Sequence, residues 1–164
     1  MGGVEAFNSL PAGELSAVCA APGWVAAMIA GRPYPSRQAI VAAADAALRD
    51  LGRPDVLAAL SAHPRIGERA AGDSKEAAWS RREQSAAADA DEATAEALIA
   101  ANRAYEEKFG HVFLIFASGR SRAEILAAAR ERLGNDEAAE RPIVADQLRR
   151  IALLRLERLL DELG

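Results

Sequence analysis

The side chains best suited to chemistry fall in three short stretches. The first is LSAHPRIGE (60–68), where His63 sits between a leucine-ended apolar run and a proline; the chain holds only two histidines. An imidazole titrates near neutrality, so His63 is a candidate general acid or base. A histidine at a helix end also interacts simply with the terminal carbonyls. The second stretch is Ser80-Arg81-Arg82-Glu83-Gln84. On a helix Ser80, Glu83 and Gln84 share a face, being i, i+3 and i+4, and would offer a carboxylate and a carboxamide to a ligand with several N–H and C=O groups. Ser-x-x-Glu is equally a capping box. The third is Arg155. At 100° per residue Val144, Leu148, Ile151, Arg155 and Leu159 form one narrow stripe, so the arginine points with the apolar residues. A buried arginine is costly unless paired. It is therefore a structural salt bridge, a buried stem with its head reaching water, or a guanidinium lining a carboxylate pocket.

The remaining reactive types read as structural. His111 lies between Gly110 and Val112, and no H-x-x-x-H or H-x-x-E-H spacing supports a two-histidine metal site. Cys19 is the only cysteine; Val18 and Ala20 beside it mark a packed core thiol rather than a nucleophile, and it has no disulfide partner. The turn at Gly119-Arg120-Ser121 precedes a helix N-terminus that suits an anion, although Ser121 already explains itself as a cap.

The elements that must position these groups are helices. Leu15, Val18 and Cys19 mark a first helix, broken at Pro22-Gly23, and Trp24, Ala27 and Met28 a second. The run Gly31-Arg32-Pro33-Tyr34-Pro35 is non-helical, since its prolines remove donors and restrict their predecessors. Ser36 is the N-cap of a helix through Ile40, Ala44 and Leu48, ended at Gly52. Pro54 opens another, with Val56, Leu57 and Leu60 inward, and Pro64 stops it just past His63. A polar loop over Arg65–Asp73 follows, with helix resuming by Ser80. Leu98, Asn102, Tyr105 and Phe109 form one helix face that Gly110 ends. Val112–Phe116 is a dense apolar run with no second strand to pair with, hence a buried extended segment. Ser121-x-x-Glu124 is a capping box for a helix ending at Gly134. A last helix runs to about Leu160, with Pro142 either in its first turn or kinking it. Arg158 falls at the solvated edge of the last helix's apolar face.

With 164 residues, 51% hydrophobic and 27% charged, the chain is expected to be a single-domain, all-α compact bundle of roughly seven to nine helices, with a short buried extended segment near 112–117. A net charge of −4 argues against a general nucleic-acid binder, which needs a basic face. No stretch approaches the roughly 20 apolar residues of a membrane span. The start lacks a signal-peptide pattern, and a cytoplasmic protein is expected.

Taken together, the sequence resembles the OHCU decarboxylase family, which decarboxylates 2-oxo-4-hydroxy-4-carboxy-5-ureidoimidazoline in urate breakdown. The resemblance covers nearly the whole chain. It rests on Arg32-Pro33-Tyr34-Pro35-Ser36, Ala62-His63-Pro64-Arg65-Ile66-Gly67, Ser80-x-x-Glu83-Gln84, Asn102-x-x-Tyr105-x-x-Lys108-Phe109-Gly110-x-x-Phe113, and Ile151-Ala152-x-x-Arg155-Leu156. Each piece is short; five in the right order and spacing are specific. The resemblance implies that His63 is catalytic with Glu83 as its acidic partner, and that Ser80 and Gln84 belong to the same substrate-binding cluster. It also implies that Arg155 is the family's C-terminal arginine, that Ile115 offers main-chain contacts and that Pro64 shapes the pocket. It further implies a small-molecule substrate, no cofactor or metal, no nucleic-acid or membrane partner, and a homodimer. A non-enzymatic helical ligand-binding module and a lyase for a related ureido compound are the alternatives. The departures from the family pattern are Arg65, where an acidic or polar residue is common, His111, and Pro142 in the last helix.

Overall fold

The structure, a computed structural model, describes residues 2–65, 79 and 92–164. The described residues hold eight helices and no strand. They divide into two compact units, Met1–Ala59 with Arg149–Gly164, and Leu60–Leu148.

The first unit contains α1 (Gly3–Asn8), α2 (Ala12–Val18), α3 (Pro22–Ala30), α4 (Arg37–Arg49) and most of α5 (Arg53–Leu60). Helix α1 has no counterpart in the apolar periodicity: it is barely two turns long and buries one large side chain, Phe7. Cys19 is the C-cap of α2, extended in backbone and buried. Pro22 does not merely break α2; it is the first residue of α3, where its missing N–H costs nothing. Trp24 and Met28 turn inward from α3, and the Trp24 indole donates to the Ala44 carbonyl of α4 at 3.3 Å. Ser36 caps α4 by accepting from Ala39 N–H at 3.0 Å. In α5, Val56, Ala59 and Leu60 are buried but Leu57 is 39% exposed, contrary to the expected inward set. The helical period is the reason: Leu57 is rotated by 100° from Val56, away from the face that 56, 59 and 60 share.

Between α3 and α4 the chain crosses residues 31–36 without helix, and the Arg32–Pro33 peptide is cis. The Asn8 side chain holds this crossing. Its amide donates to the Tyr34 carbonyl at 3.0 Å, and its oxygen accepts from the Tyr34 N–H at 2.8 Å. The Tyr34 hydroxyl donates to the Met28 carbonyl at 2.8 Å, and a Cβ on Gly31 would lie 2.5 Å from that hydroxyl. Burial raises the Tyr34 phenol, opposed by Arg32, so it remains a donor.

The second unit contains α6 (Glu92–Phe109), α7 (Arg122–Leu133) and the start of α8 (Glu137–Leu163), which runs on into the first unit's residues. Helices α6 and α7 pack together through Leu98, Ala101 and Tyr105 on one side and Ile125, Leu126 and Ala129 on the other. Gly110 ends α6 at φ +80°, a left-handed conformation glycine adopts without strain. The Ser121 capping box of α7 is complete: Ser121 Oγ accepts from Glu124 N–H, and Glu124 accepts from Ser121 N–H. At its other end Lys108 donates to the Leu133 carbonyl at 2.6 Å, satisfying one of the last carbonyls of α7. Pro142 lies within α8 and takes away the hydrogen bond that would reach the carbonyl of Ala138.

Candidate active site

Helix α5 stops at Leu60, and the His63 N–H closes the next turn on the Leu60 carbonyl at 3.0 Å. Pro64 prevents further helix. His63 and Pro64 are both half-buried. Arg65 then reaches α6, where Nε and Nη2 donate to the two oxygens of Glu106 at 2.7 and 3.3 Å. The fork fixes where the chain goes immediately after the histidine. His111 is structural as expected: its ring stacks on Phe109 and meets Tyr105 edge-on, and Nδ1 lies 3.0 Å from the Val112 carbonyl.

Ile115 is 3% exposed and lies in the expected buried segment, with Phe113, Leu114 and Ala117 also buried. The segment has neither helical nor ladder bonds, so its main-chain groups need side-chain partners. Arg132 of α7 donates Nη1 to the Leu114 carbonyl at 2.7 Å, and Gln147 of α8 accepts from the Phe116 N–H at 2.8 Å.

Arg132 is itself enclosed. Its Nε lies 2.9 and 3.1 Å from the two Glu140 oxygens, and its Nη2 makes a 2.8 Å ion contact that lacks hydrogen-bond alignment. Tyr105 and Asn135 also donate to Glu140, and the guanidinium lies 4.6 Å from the Phe113 ring centroid. Burial raises the Glu140 carboxyl, but hydrogen bonds from Arg132 and Tyr105 and the Arg132 charge outweigh it and hold the group below its ordinary value. Tyr105 is pushed well up, chiefly by burial and then by its bond to Glu140, so it stays a donor.

Sequence reasoning missed Arg132, Glu140 and Gln147. A signal for two of them existed. Glu140 stands four residues before Val144 and continues the stripe that made Arg155 conspicuous. Arg132 likewise follows Ile125 and Ala129 on the inner face of α7.

Arg155 is 1% exposed, among Ile151, Ala152, Leu156 and Leu159 of α8, which are also buried. Arg158, expected at the solvated edge, is half-buried with Nη1 removed from solvent. Thus His63, Pro64 and Ile115 belong to the second unit and Arg155 to the first. Ser80, Glu83 and Gln84 lie outside the described residues, as do Ile66 and Gly67 and most of the polar stretch 65–73.

The model of the OHCU decarboxylase family matches residues 11–157. The chain belongs to the OHCU decarboxylase family. Relatives agree with this. The chain is 35% identical, over 91% of its length, to the uric acid degradation bifunctional protein TTL of Arabidopsis thaliana, and it spans 47% of that protein. It is 32% identical, over 81% of its length, to a 2-oxo-4-hydroxy-4-carboxy-5-ureidoimidazoline decarboxylase of Haloferax volcanii, covering 79% of it. A second decarboxylase of that name, from Amia calva, is 41% identical over 34% of this chain and 32% of its own. The chain therefore spans half or less of the first two relatives.

Among solved structures, an OHCU decarboxylase crystallised in the presence of (S)-allantoin superposes with a TM-score of 0.76 at 33% identity, covering 90% of this chain and 97% of that one. An (S)-allantoin synthase superposes with a TM-score of 0.68 at 19% identity, over 95% of this chain and 53% of that one; that likeness shows the fold alone. The all-helical architecture is thus that of the OHCU decarboxylases.

Proposed function

We propose that the chain decarboxylates 2-oxo-4-hydroxy-4-carboxy-5-ureidoimidazoline (OHCU) to (S)-allantoin in urate catabolism, without a cofactor. The observation that carries this reading is the 33% identical OHCU decarboxylase crystallised in the presence of (S)-allantoin, which matches 90% of this chain.

The substrate's chemistry supports a cofactor-free reaction. OHCU carries a carboxylate on C4 beside a C5=N bond, so it is a β-imino acid. As the bond from C4 to the carboxyl carbon breaks, its electron pair enters C4=C5 and the imine nitrogen accepts the displaced pair and a proton. Carbon dioxide leaves. The 4-hydroxyl then loses its proton to become the ring carbonyl, and C5 gains one. The ring itself is the electron sink that pyridoxal or thiamine supplies elsewhere.

The protein's tasks are then binding, desolvation and proton handling. By family resemblance His63 takes the 4-hydroxyl proton or delivers one to C5, a role suited to a group titrating near neutrality. Glu83 sets the imidazole's charge state or binds the ureido N–H groups. Ser80 and Gln84 hold the polar ring, and Arg155 and the Ile115 main chain hold the anion and the amide groups. Pro64 limits the space beside the histidine. Delivery of the proton to one face of C5 yields one enantiomer. We further propose a cytoplasmic homodimer, again by family resemblance. Among the described residues no helix is long and apolar enough to cross a membrane.

The test is an assay with freshly generated OHCU, following carbon dioxide loss and the optical activity of the allantoin formed. We expect (S)-allantoin from the wild-type protein. His63→Ala should lower kcat by roughly 10²-fold or more while circular dichroism shows it folded. Unchanged turnover in that variant would refute the role of His63. Allantoin binding without turnover would instead make the chain a ligand-binding module, and turnover only of another ureido compound would make it a different lyase. Insensitivity to EDTA is expected; loss of activity would refute the metal-free reading.

A further inference from the structure

The peptide groups on either side of Ile115 are each taken by a side chain from a different helix. The Leu114 carbonyl accepts from Arg132 of α7, and the Phe116 N–H donates to Gln147 of α8. The two braces take the carbonyl before Ile115 and the N–H after it, and neither takes a group of Ile115 itself. Among the described residues the Ile115 N–H and carbonyl make no hydrogen bond, although the residue is 3% exposed. Buried peptide groups are nearly always partnered, so a pair held open in this way is a place prepared for a ligand.

We infer that Arg132 and Gln147 are positioning residues for the reaction, and that Glu140 acts through Arg132 to the same end. They hold residues 114–116 by the groups that flank Ile115, so that the Ile115 peptide pair presents a fixed donor and acceptor to an amide- or ureide-bearing ligand. The two braces are built differently. Gln147 is a single neutral contact, whereas Arg132 is held by the Glu140 carboxylate, which itself accepts from a phenol and a carboxamide, and lies over an aromatic ring. The firm brace sets the depth of the segment and the single contact sets its register. This inference rests on the proposed use of the Ile115 main chain in substrate binding.

The experiment compares Gln147→Leu, Gln147→Glu and wild type for OHCU turnover and for equilibrium binding of (S)-allantoin. Gln147→Leu removes the acceptor, and Gln147→Glu keeps one. With both variants folded by circular dichroism, Gln147→Leu should lower kcat/KM by roughly 10- to 100-fold and weaken allantoin binding, since small misplacements of a binding group are amplified in rate. Gln147→Glu should recover most of both. A residue that served stability alone would lower the melting temperature without this split and rescue. Wild-type kcat, KM and allantoin affinity in Gln147→Leu would overturn the inference while leaving the function intact. A wild-type protein that neither turns over OHCU nor binds allantoin would overturn the proposed function first, and this inference with it. Binding without turnover, lost in Gln147→Leu and regained in Gln147→Glu, would support the inference while rejecting the enzyme.

Discussion

Two non-helical segments of this protein solve the same problem in different ways. Residues 31–36 and 112–117 both run without helix or ladder, so each must find side-chain partners for its peptide groups. In the first, one neutral side chain, Asn8, takes the N–H and the carbonyl of the same residue, Tyr34. In the second, two side chains from different helices take groups from two residues and leave the one between them unclaimed. The first closes the segment on itself. The second holds a segment open. The comparison teaches that bracing alone does not mark a functional backbone; the mark is which peptide groups the braces leave over.

The largest expected effect comes from breaking the charged brace. Arg132→Met would leave the Glu140 carboxylate buried and unpaired, and the Leu114 carbonyl without its donor. Breaking one partner of a buried pair costs about 3–5 kcal/mol, so chemical denaturation should show a loss of that order or a failure to fold. A loss under about 1 kcal/mol would show that the cluster is far better solvated than its 8% and 2% side-chain exposures imply.

Glu140→Gln sharpens the same point through pH. The Glu140 carboxyl is held below its ordinary value of 4.5, so its contribution to stability is complete above that pH and is lost as pH falls through the folded-state value. The variant should be less stable at neutral pH by about 1.5–3 kcal/mol, the range for hydrogen bonds to a charged group. It should also lose less stability than wild type on acidification below pH 4.5. Parallel stability-versus-pH curves for the two proteins would remove Glu140 from the acid response.

These residues also show how far the sequence could be read. The inward stripe of α8 made the burial of Arg155 legible, and the Ser36 and Ser121 caps were legible because a cap is a local hydrogen bond between neighbours. Leu57 departs from its expected inward place because helical phase, not hydrophobicity, decides which side it faces. The partnership of Arg132 with Leu114 and of Gln147 with Phe116 joins residues 18 and 31 positions apart, and no local pattern encodes such a pair. Arg132 and Glu140 do stand on core-facing positions of their helices, but both lie in a densely charged stretch where an inward charge does not stand out. The histidine turn was legible from Pro64, whereas Ser80, Glu83 and Gln84 rest on resemblance.

Asn8→Ala breaks the neutral clamp. It should cost about 1–2 kcal/mol, as the Tyr34 peptide groups lose partners they replace only in part with water. Because the clamp carries no charge, this loss should be the same at pH 4 and pH 7, in contrast to the Glu140 variant. A pH-dependent loss would mean that the clamp is coupled to a group titrating between those pH values rather than confined to the backbone.

The smallest effect concerns the turn that carries His63. The Arg65–Glu106 fork has good geometry, yet the Arg65 side chain is 51% exposed. Exposed pairs contribute about 0–1 kcal/mol, so Arg65→Ala should barely move the melting temperature. Its consequence for activity need not be as small. Arg65 follows His63 by two residues, and the fork is what ties the chain leaving the histidine turn to α6. If it steadies the imidazole, Arg65→Ala should lower kcat by severalfold at unchanged stability, and the loss should be mimicked in wild type by high salt, which screens the same pair. Equal kcat for variant and wild type at both low and high salt would show that the Leu60–His63 turn and Pro64 hold the imidazole unaided. The departure from the family pattern at position 65 would then be a surface change without consequence for the chemistry.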